Sequence, residues 1–294
     1  MAITIRPITP VVAGEVAGVD LTKAMTPQEV AAIEAGMDRH AVLVFHGQNI
    51  TDEQQQAFSK NFGPLENARG GNITKDGDKR LPEGMNDVSN LGKDGKPLPK
   101  DSRQHLFNIG NMLWHSDSSF RAIPAKYSLL SARVVNPNGG NTEFADMRAA
   151  YDALDQETKD VCEPLICEHS QMFSRAKHGF TEFTPEERLR LKPVLQRLVR
   201  VHPSTGRKSL YLSSHAGRIV GWPEPEAKAF LMDLTEMATQ REFTYAHKWR
   251  VGDLVIWDNQ RTMHRARPFP HTEPRDVRRT TLMGDAPTVE QQAA

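Results

Sequence analysis

Two cysteines in 294 residues, Cys162 and Cys167, are too few for a disulfide framework, and a reducing cytoplasm is the expected compartment. Charge of one sign is also missing. Lys and Arg number 37, Asp and Glu 37, so the net charge is zero and gives no electrostatic reason for binding nucleic acid or an acidic membrane surface. No run approaches the roughly 18 apolar residues of a membrane span, and the opening Met1–Pro7 lacks the continuous apolar core of a signal peptide. Internal repeats are absent. What is there, 38% hydrophobic and 25% charged residues, suits a soluble globular chain long enough to bury a sizeable core.

Helices are well signalled early. Thr26-Pro27-Gln28-Glu29 supplies a capping hydroxyl, a proline at the first helical position and a glutamate at N3, and predicts a helix to about Arg39. Ala41–Phe45 reads as a buried strand, and Thr51-Asp52-Glu53-Gln54 opens a second helix that Gly63-Pro64 closes. Residues 66–105 are rich in Gly, Lys, Asp and Pro, with only Val88–Leu91 strand-like; a stretch of this kind is expected to form an active-site lid or insertion. Beyond Asn108 strands are expected at Tyr127–Val135, Glu168–Phe173, Leu198–His202, Leu210–Ser214, Phe243–Trp249, Asp253–Trp257, Met263–Ala266 and Val277–Leu282. Helices are expected at Met147–Leu154, Thr184–Arg190 and Glu224–Ala238. This pattern points to a mainly β fold with flanking helices, a double-sheet jelly roll.

Among eleven histidines, two have a carboxylate two residues on: His115 with Asp117, and His271 with Glu273. Two residues apart on a strand share a face, so both side chains can reach one ion. No histidine follows Glu273, which makes that pair a poor first half of a site. Downstream of the first pair, Trp257–Ala266 offers His264 on a strand after a tight polar turn. Two histidines and one carboxylate leave open positions on iron, as non-haem iron oxygenases require, whereas a structural zinc site would take four protein ligands. Where the electrons come from 2-oxoglutarate, its distal carboxylate needs a fixed cation, and Arg275 lies eleven residues after His264. Arg279, an even offset further on, would share its face on a continuing strand, although Arg275, Arg278 and Arg279 also read as a solvated basic run.

The blocks Trp114-His115-Ser116-Asp117, Asn136 through Arg148, His202 through Arg207, and Trp257 through Arg265 resemble those of the taurine and 2,4-dichlorophenoxyacetate dioxygenases, which depend on iron(II) and 2-oxoglutarate. The likeness runs from Gly18 to the strand holding Arg279 and is nearest to the aryloxyalkanoate branch. It implies one dioxygenase domain over residues 1–294, with His115, Asp117 and His264 as ligands of Fe(II). It further implies Thr142 and Arg275 on the distal carboxylate of 2-oxoglutarate, with Trp257 lining that pocket. Arg279 would face the iron-side carboxylate, the substrate acid, or both. Asn111 and His215 are further candidates for bordering the substrate.

The implied reaction uses O2 to decarboxylate 2-oxoglutarate to succinate and carbon dioxide, and hydroxylates an aryloxyalkanoate beside its ether oxygen, releasing a phenol and an oxo acid. A homo-oligomer is expected from the same likeness. The alternatives are a dioxygenase for taurine, an alkylsulfonate or another small acid, a zinc hydrolase using the same three ligands, and a jelly-roll binding module without turnover.

Overall fold

The computed structural model describes residues 3–67, 73, 77 and 79–290. Its largest sheet has seven strands in the order Thr4–Pro7, Gly14–Ala17, Val42–Phe45, Leu254–Asp258, Ala125–Val134, Asp276–Met283 and Asn86–Asp87. All neighbours are antiparallel except Gly14–Ala17 with Val42–Phe45. A three-stranded sheet, Thr244–His247, Thr142–Asp146 and Thr262–Ala266, supplies the second wall of the interior. Two smaller sheets are built from Ile166–His169, Val194–Arg197 and Ala216–Ile219, and from Val199–Val201 with Lys208–Leu210.

Strand alternation decides what each face of the large sheet meets. Leu43, Phe45, Leu129, Leu254 and Ile256 point to one side, where Ile33, Met37 and Phe58 from the helices Pro27–His40 and Asp52–Ser59 cover them. Their neighbours Val42, Val44, Leu130, Val255 and Trp257 point the other way and pack with Phe144 of the three-stranded sheet. Both covering helices start at the expected capping boxes, with Glu29 and Gln54 closing back on Thr26 and Thr51. Cys162 and Cys167 are buried free thiols, which burial pushes up to about 11 and about 12.

The expected elements are found within a residue or two, with three corrections. Glu168–Phe173 is not one strand: the strand Ile166–His169 ends where Ser170 caps a helix, Gln171–Ala176, its hydroxyl accepting from the Met172 amide. Of Leu210–Ser214 only Leu210 is strand, as the end of the strand Lys208–Leu210. In the glycine- and lysine-rich stretch the strand is Asn86–Asp87, paired with Arg279 and Arg278, rather than Val88–Leu91. The helices Arg103–Asn108 and Gln156–Cys162 were not expected. The lid expected over residues 66–105 falls partly outside the described residues; its later part is tied down by hydrogen bonds from Val88 N to Val277 O and from Asn90 N to Arg275 O.

Candidate metal centre and its two chambers

His264 lies opposite Phe144, and Ala266 opposite Thr142, so these four residues share the face turned toward the large sheet. The turn Asn259–Arg261 carries the chain from the large sheet to this strand. Arg261, fully buried, donates to Asp258 Oδ2 at 2.8 Å, and Asp258 Oδ1 accepts from the Gln260 amide. His115 belongs to no long strand, yet it pairs with His264 as an isolated antiparallel bridge. Asp117, two residues on, comes back to the same point. One ligand atom from each of His115, Asp117 and His264 lies within 4.8 Å of the others, and all three residues are buried.

The surroundings suit a divalent ion. His115 Nδ1 is held by Leu113 O at 2.8 Å, which leaves Nε2 toward Asp117 Oδ1, 4.0 Å away. His264 Nε2 is 3.7 Å from Asp117 Oδ2. Burial lowers the pKa of both imidazoles, so they stand as neutral donors. Burial would raise Asp117, but the charged Arg279 guanidinium beside it brings it down to about 2. The carboxylate is held on both oxygens: Arg279 Nη1 donates to Oδ1, and Ser128 Oγ donates to Oδ2 at 2.7 Å. Asn259 completes the bracket, its Oδ1 accepting from Asp117 N and from Trp257 Nε1, each at 3.0 Å, and its Nδ2 donating to Ser128 Oγ.

Two chambers meet at this cluster, sharing Val88, Asn111, His115 and Arg279. The first and smaller is walled by Leu130, Trp257, His264, Thr142 and Arg275. Arg275 is buried, and among the described residues no carboxylate pairs with it; its guanidinium donates to Gly140 O and Val88 O, and burial pushes it down to about 10. Gly140 has a φ of +76°, and a Cβ there would sit 3.1 Å from Arg275 Nε, so glycine allows this approach. Thr142 Oγ1 accepts from Trp249 Nε1 at 3.0 Å, leaving the hydroxyl proton to donate elsewhere. The second and larger chamber is lined by Arg175, Gln171, His215 and Phe120. His215 is buried and neutral, and its Nδ1 meets Ser174 Oγ at 2.9 Å.

All nine sequence candidates therefore border one or both chambers. The basic run divides as strand alternation requires. Arg279 enters the interior, while Arg278 turns outward to Asp276 and Asp52. Ser128, Asn259, Trp249 and Arg175 were missed. Asn259 lies in a block whose polar turn was visible, but Arg175 was hidden by the strand expected over Glu168–Phe173.

The model of the family described as taurine catabolism dioxygenase TauD, TfdA family matches residues 4–281. The chain belongs to this family. It is 44% identical over 288 residues to the alpha-ketoglutarate-dependent 2,4-dichlorophenoxyacetate dioxygenase of Cupriavidus pinatubonensis strain JMP 134, covering 97% of this chain and 99% of that one. It is 36% identical over 264 residues to the (S)-phenoxypropionate/alpha-ketoglutarate-dioxygenase of Delftia acidovorans, covering 86% of each. Among solved structures it is similar to the crystal structure of AAD-2 in complex with Mn(II) and N-oxalylglycine, with a TM-score of 0.96, 64% identity, and coverage of 98% of this chain and 100% of that one. Among the described residues no helix is long and apolar enough to cross a membrane.

Proposed function

We propose that this dioxygenase couples the oxidative decarboxylation of 2-oxoglutarate (alpha-ketoglutarate) to hydroxylation of an aryloxyalkanoate, such as 2,4-dichlorophenoxyacetate, at the carbon beside the ether oxygen. The observation that carries the reading is a buried His–Asp–His cluster at the junction of two chambers, one of them with an arginine, Arg275, that no carboxylate pairs with among the described residues. A substrate acid and a keto acid can then meet at one ion from two sides.

In this reading His115, Asp117 and His264 hold Fe(II). The ion, with 2-oxoglutarate, supplies activation of O2, yielding succinate and carbon dioxide and inserting one oxygen atom into the substrate C–H bond. The chain's own part is to bind, orient and keep dry. Arg275, with the Thr142 hydroxyl, holds the distal carboxylate of 2-oxoglutarate in the smaller chamber, where Trp257 and Leu130 exclude water. Ser128 and Asn259 fix Asp117 so that its carboxylate keeps one orientation. Arg279, on Asp117 and at the mouth of both chambers, adds positive charge where the two acids approach. Asn111 and His215 border the substrate. The product hemiacetal collapses to a phenol and a short oxo acid.

The facing sheets, with helices covering one of them, support a double-stranded β-helix (jelly roll) as one dioxygenase domain. Two free thiols and the family likeness support a cytoplasmic homo-oligomer. The test is an assay with purified protein, Fe(II), 2-oxoglutarate and 2,4-dichlorophenoxyacetate. Succinate and phenol should appear in equal amounts. Phenol without succinate would point to a hydrolase, and absence of both products would sink the aryloxyalkanoate reading.

A further inference from the structure

The larger chamber has a charge it does not balance. Its acids are matched: Asp117 by Arg279, Glu66 by Arg121 at 3.5 Å, and Asp87 by Arg80 at 2.8 Å. Arg175 is not matched. It is 3% exposed, and among the described residues its Nε has no hydrogen-bond partner and no carboxylate pairs with it. Burial alone pushes its guanidinium down to about 10, still charged at neutral pH. Leaving a guanidinium dry and unpaired is costly, and such groups are retained where a counter-charge arrives with a ligand.

The side chain is also held in a shaped seat. The face of Phe107 lies 4.3 Å from Cζ. Nη1 donates to Ser174 Oγ at 3.0 Å and Nη2 to Asn111 Oδ1 at 3.2 Å. Gly110 lies against it: a Cβ at that position would stand 2.8 Å from both Cζ and Nε, so any larger residue would push the guanidinium aside. Through Ser174 the arginine is linked to His215, whose ring centroid is 5.9 Å from that of His115. Its position is thus fixed relative to the metal cluster.

We propose that Arg175 anchors the carboxylate of the prime substrate and so selects singly charged acids over neutral ethers. In an aryloxyacetate the carbon to be hydroxylated is bonded directly to the carboxylate carbon, so an anchor for the acid must stand beside the metal cluster rather than at the far end of the pocket. Arg175 meets that requirement from the chamber that Arg275 does not line, and Arg279 is already engaged by Asp117. Two arginines without carboxylate partners, one per chamber, then sort two acids to the two sides of the cluster. This assignment rests on the aryloxyalkanoate reading.

The test is calorimetric and needs no turnover. Protein loaded with Mn(II) and N-oxalylglycine, a 2-oxoglutarate analogue, is titrated with phenoxyacetate and with its neutral isostere phenoxyacetamide. Wild type should prefer the acid. Arg175→Gln should lose at least about thirtyfold in affinity for the acid, with less than about threefold change for the amide and with N-oxalylglycine affinity unchanged. Arg175→Lys, which keeps the charge without the fork, should fall between the two. Gly110→Ala, which alters no charge, should weaken the acid in the same direction, and it decides the matter if Arg175→Gln does not fold. A retained preference for the acid in Arg175→Gln, or equal losses for acid and amide, would overturn the assignment. Failure of wild-type protein to bind phenoxyacetate would overturn the substrate reading instead.

Discussion

His115 and His264, far apart in sequence, face each other as an antiparallel pair in which each backbone N–H donates to the other's carbonyl, at 3.0 and 2.8 Å. Two backbone bonds bring the two imidazoles together, so their approach does not depend on an ion or on the rings themselves. The ring centroids lie 4.2 Å apart. A site assembled this way should be largely formed before metal arrives.

His264→Ala should therefore lose the metal and keep the fold. The bridge is made by main-chain atoms, which alanine retains, and the pairing with Phe144 is untouched. Iron affinity should fall by more than about a hundredfold, because loss of a ligand exceeds the effect of losing an outer partner. Thermal unfolding of the metal-free protein should stay within a few degrees of wild type. Undiminished stoichiometric iron in the purified variant would remove His264 from the site.

Ser128→Ala tests the layer behind the ligands. Its hydroxyl donates to Asp117 Oδ2 and accepts from Asn259 Nδ2, all three residues being buried. Alanine leaves a carboxylate oxygen and an amide donor without that partner, in a place water reaches poorly. Iron affinity should drop by about 10–100-fold with all three ligands still present. An iron titration indistinguishable from wild type would mean that Arg279 and Asn259 alone fix the carboxylate.

The ligand residues were legible because they follow local rules. A histidine and an aspartate two apart, a second histidine on a strand and an arginine one strand later are all visible along the chain. The capping boxes at Thr26, Thr51 and Thr184 were equally readable, since the hydroxyl and the N3 side chain close on each other within one turn. Ser128 was not, because nothing near it announces a role; only the antiparallel register setting it beside Trp257 turns it inward. Arg175 was lost for another reason. Glu168–Phe173 alternates well enough for a strand, and Ser170 was not read as the cap that ends it and starts a helix. Once the helix is there, Gln171 and Arg175 are four apart and both face the larger chamber.

Arg275→Gln should raise the requirement for 2-oxoglutarate and leave that for the aryloxy acid nearly alone. Arg275 is buried and lines the smaller chamber with Thr142, and the larger chamber is not lined by it. Removing one partner of a buried charge pair costs on the order of 2–5 kcal/mol, about thirtyfold to several thousandfold in affinity. Binding of 2-oxoglutarate to Mn(II)-loaded protein reads this directly. Unchanged affinity would return Arg275 to the ordinary basic residues of its run.

Trp249→Phe makes a subtler case for the same pocket. The indole N–H donates to Thr142 Oγ1 at 3.0 Å, so the threonine oxygen is engaged as acceptor and its own proton is free for a carboxylate. Phenylalanine keeps a ring in the cluster that holds Val42, Phe144 and Trp257, and against His247, whose ring stands edge-on 4.6 Å from the indole. What it removes is the donor that fixes which way the hydroxyl points. The hydroxyl could then turn toward another acceptor, and part of its hydrogen bond to the cosubstrate would be lost. A net hydrogen bond is worth about 0.5–1.5 kcal/mol, so KM for 2-oxoglutarate should rise by roughly 2–10-fold. Turnover at saturating 2-oxoglutarate should hold, because the indole donates to no ligand of the metal cluster. Thr142→Val should raise KM at least as much, and adding Trp249→Phe to it should cost little more, since the two residues act through one hydroxyl. Fully additive effects in the double variant would show that Trp249 works through packing rather than by orienting Thr142.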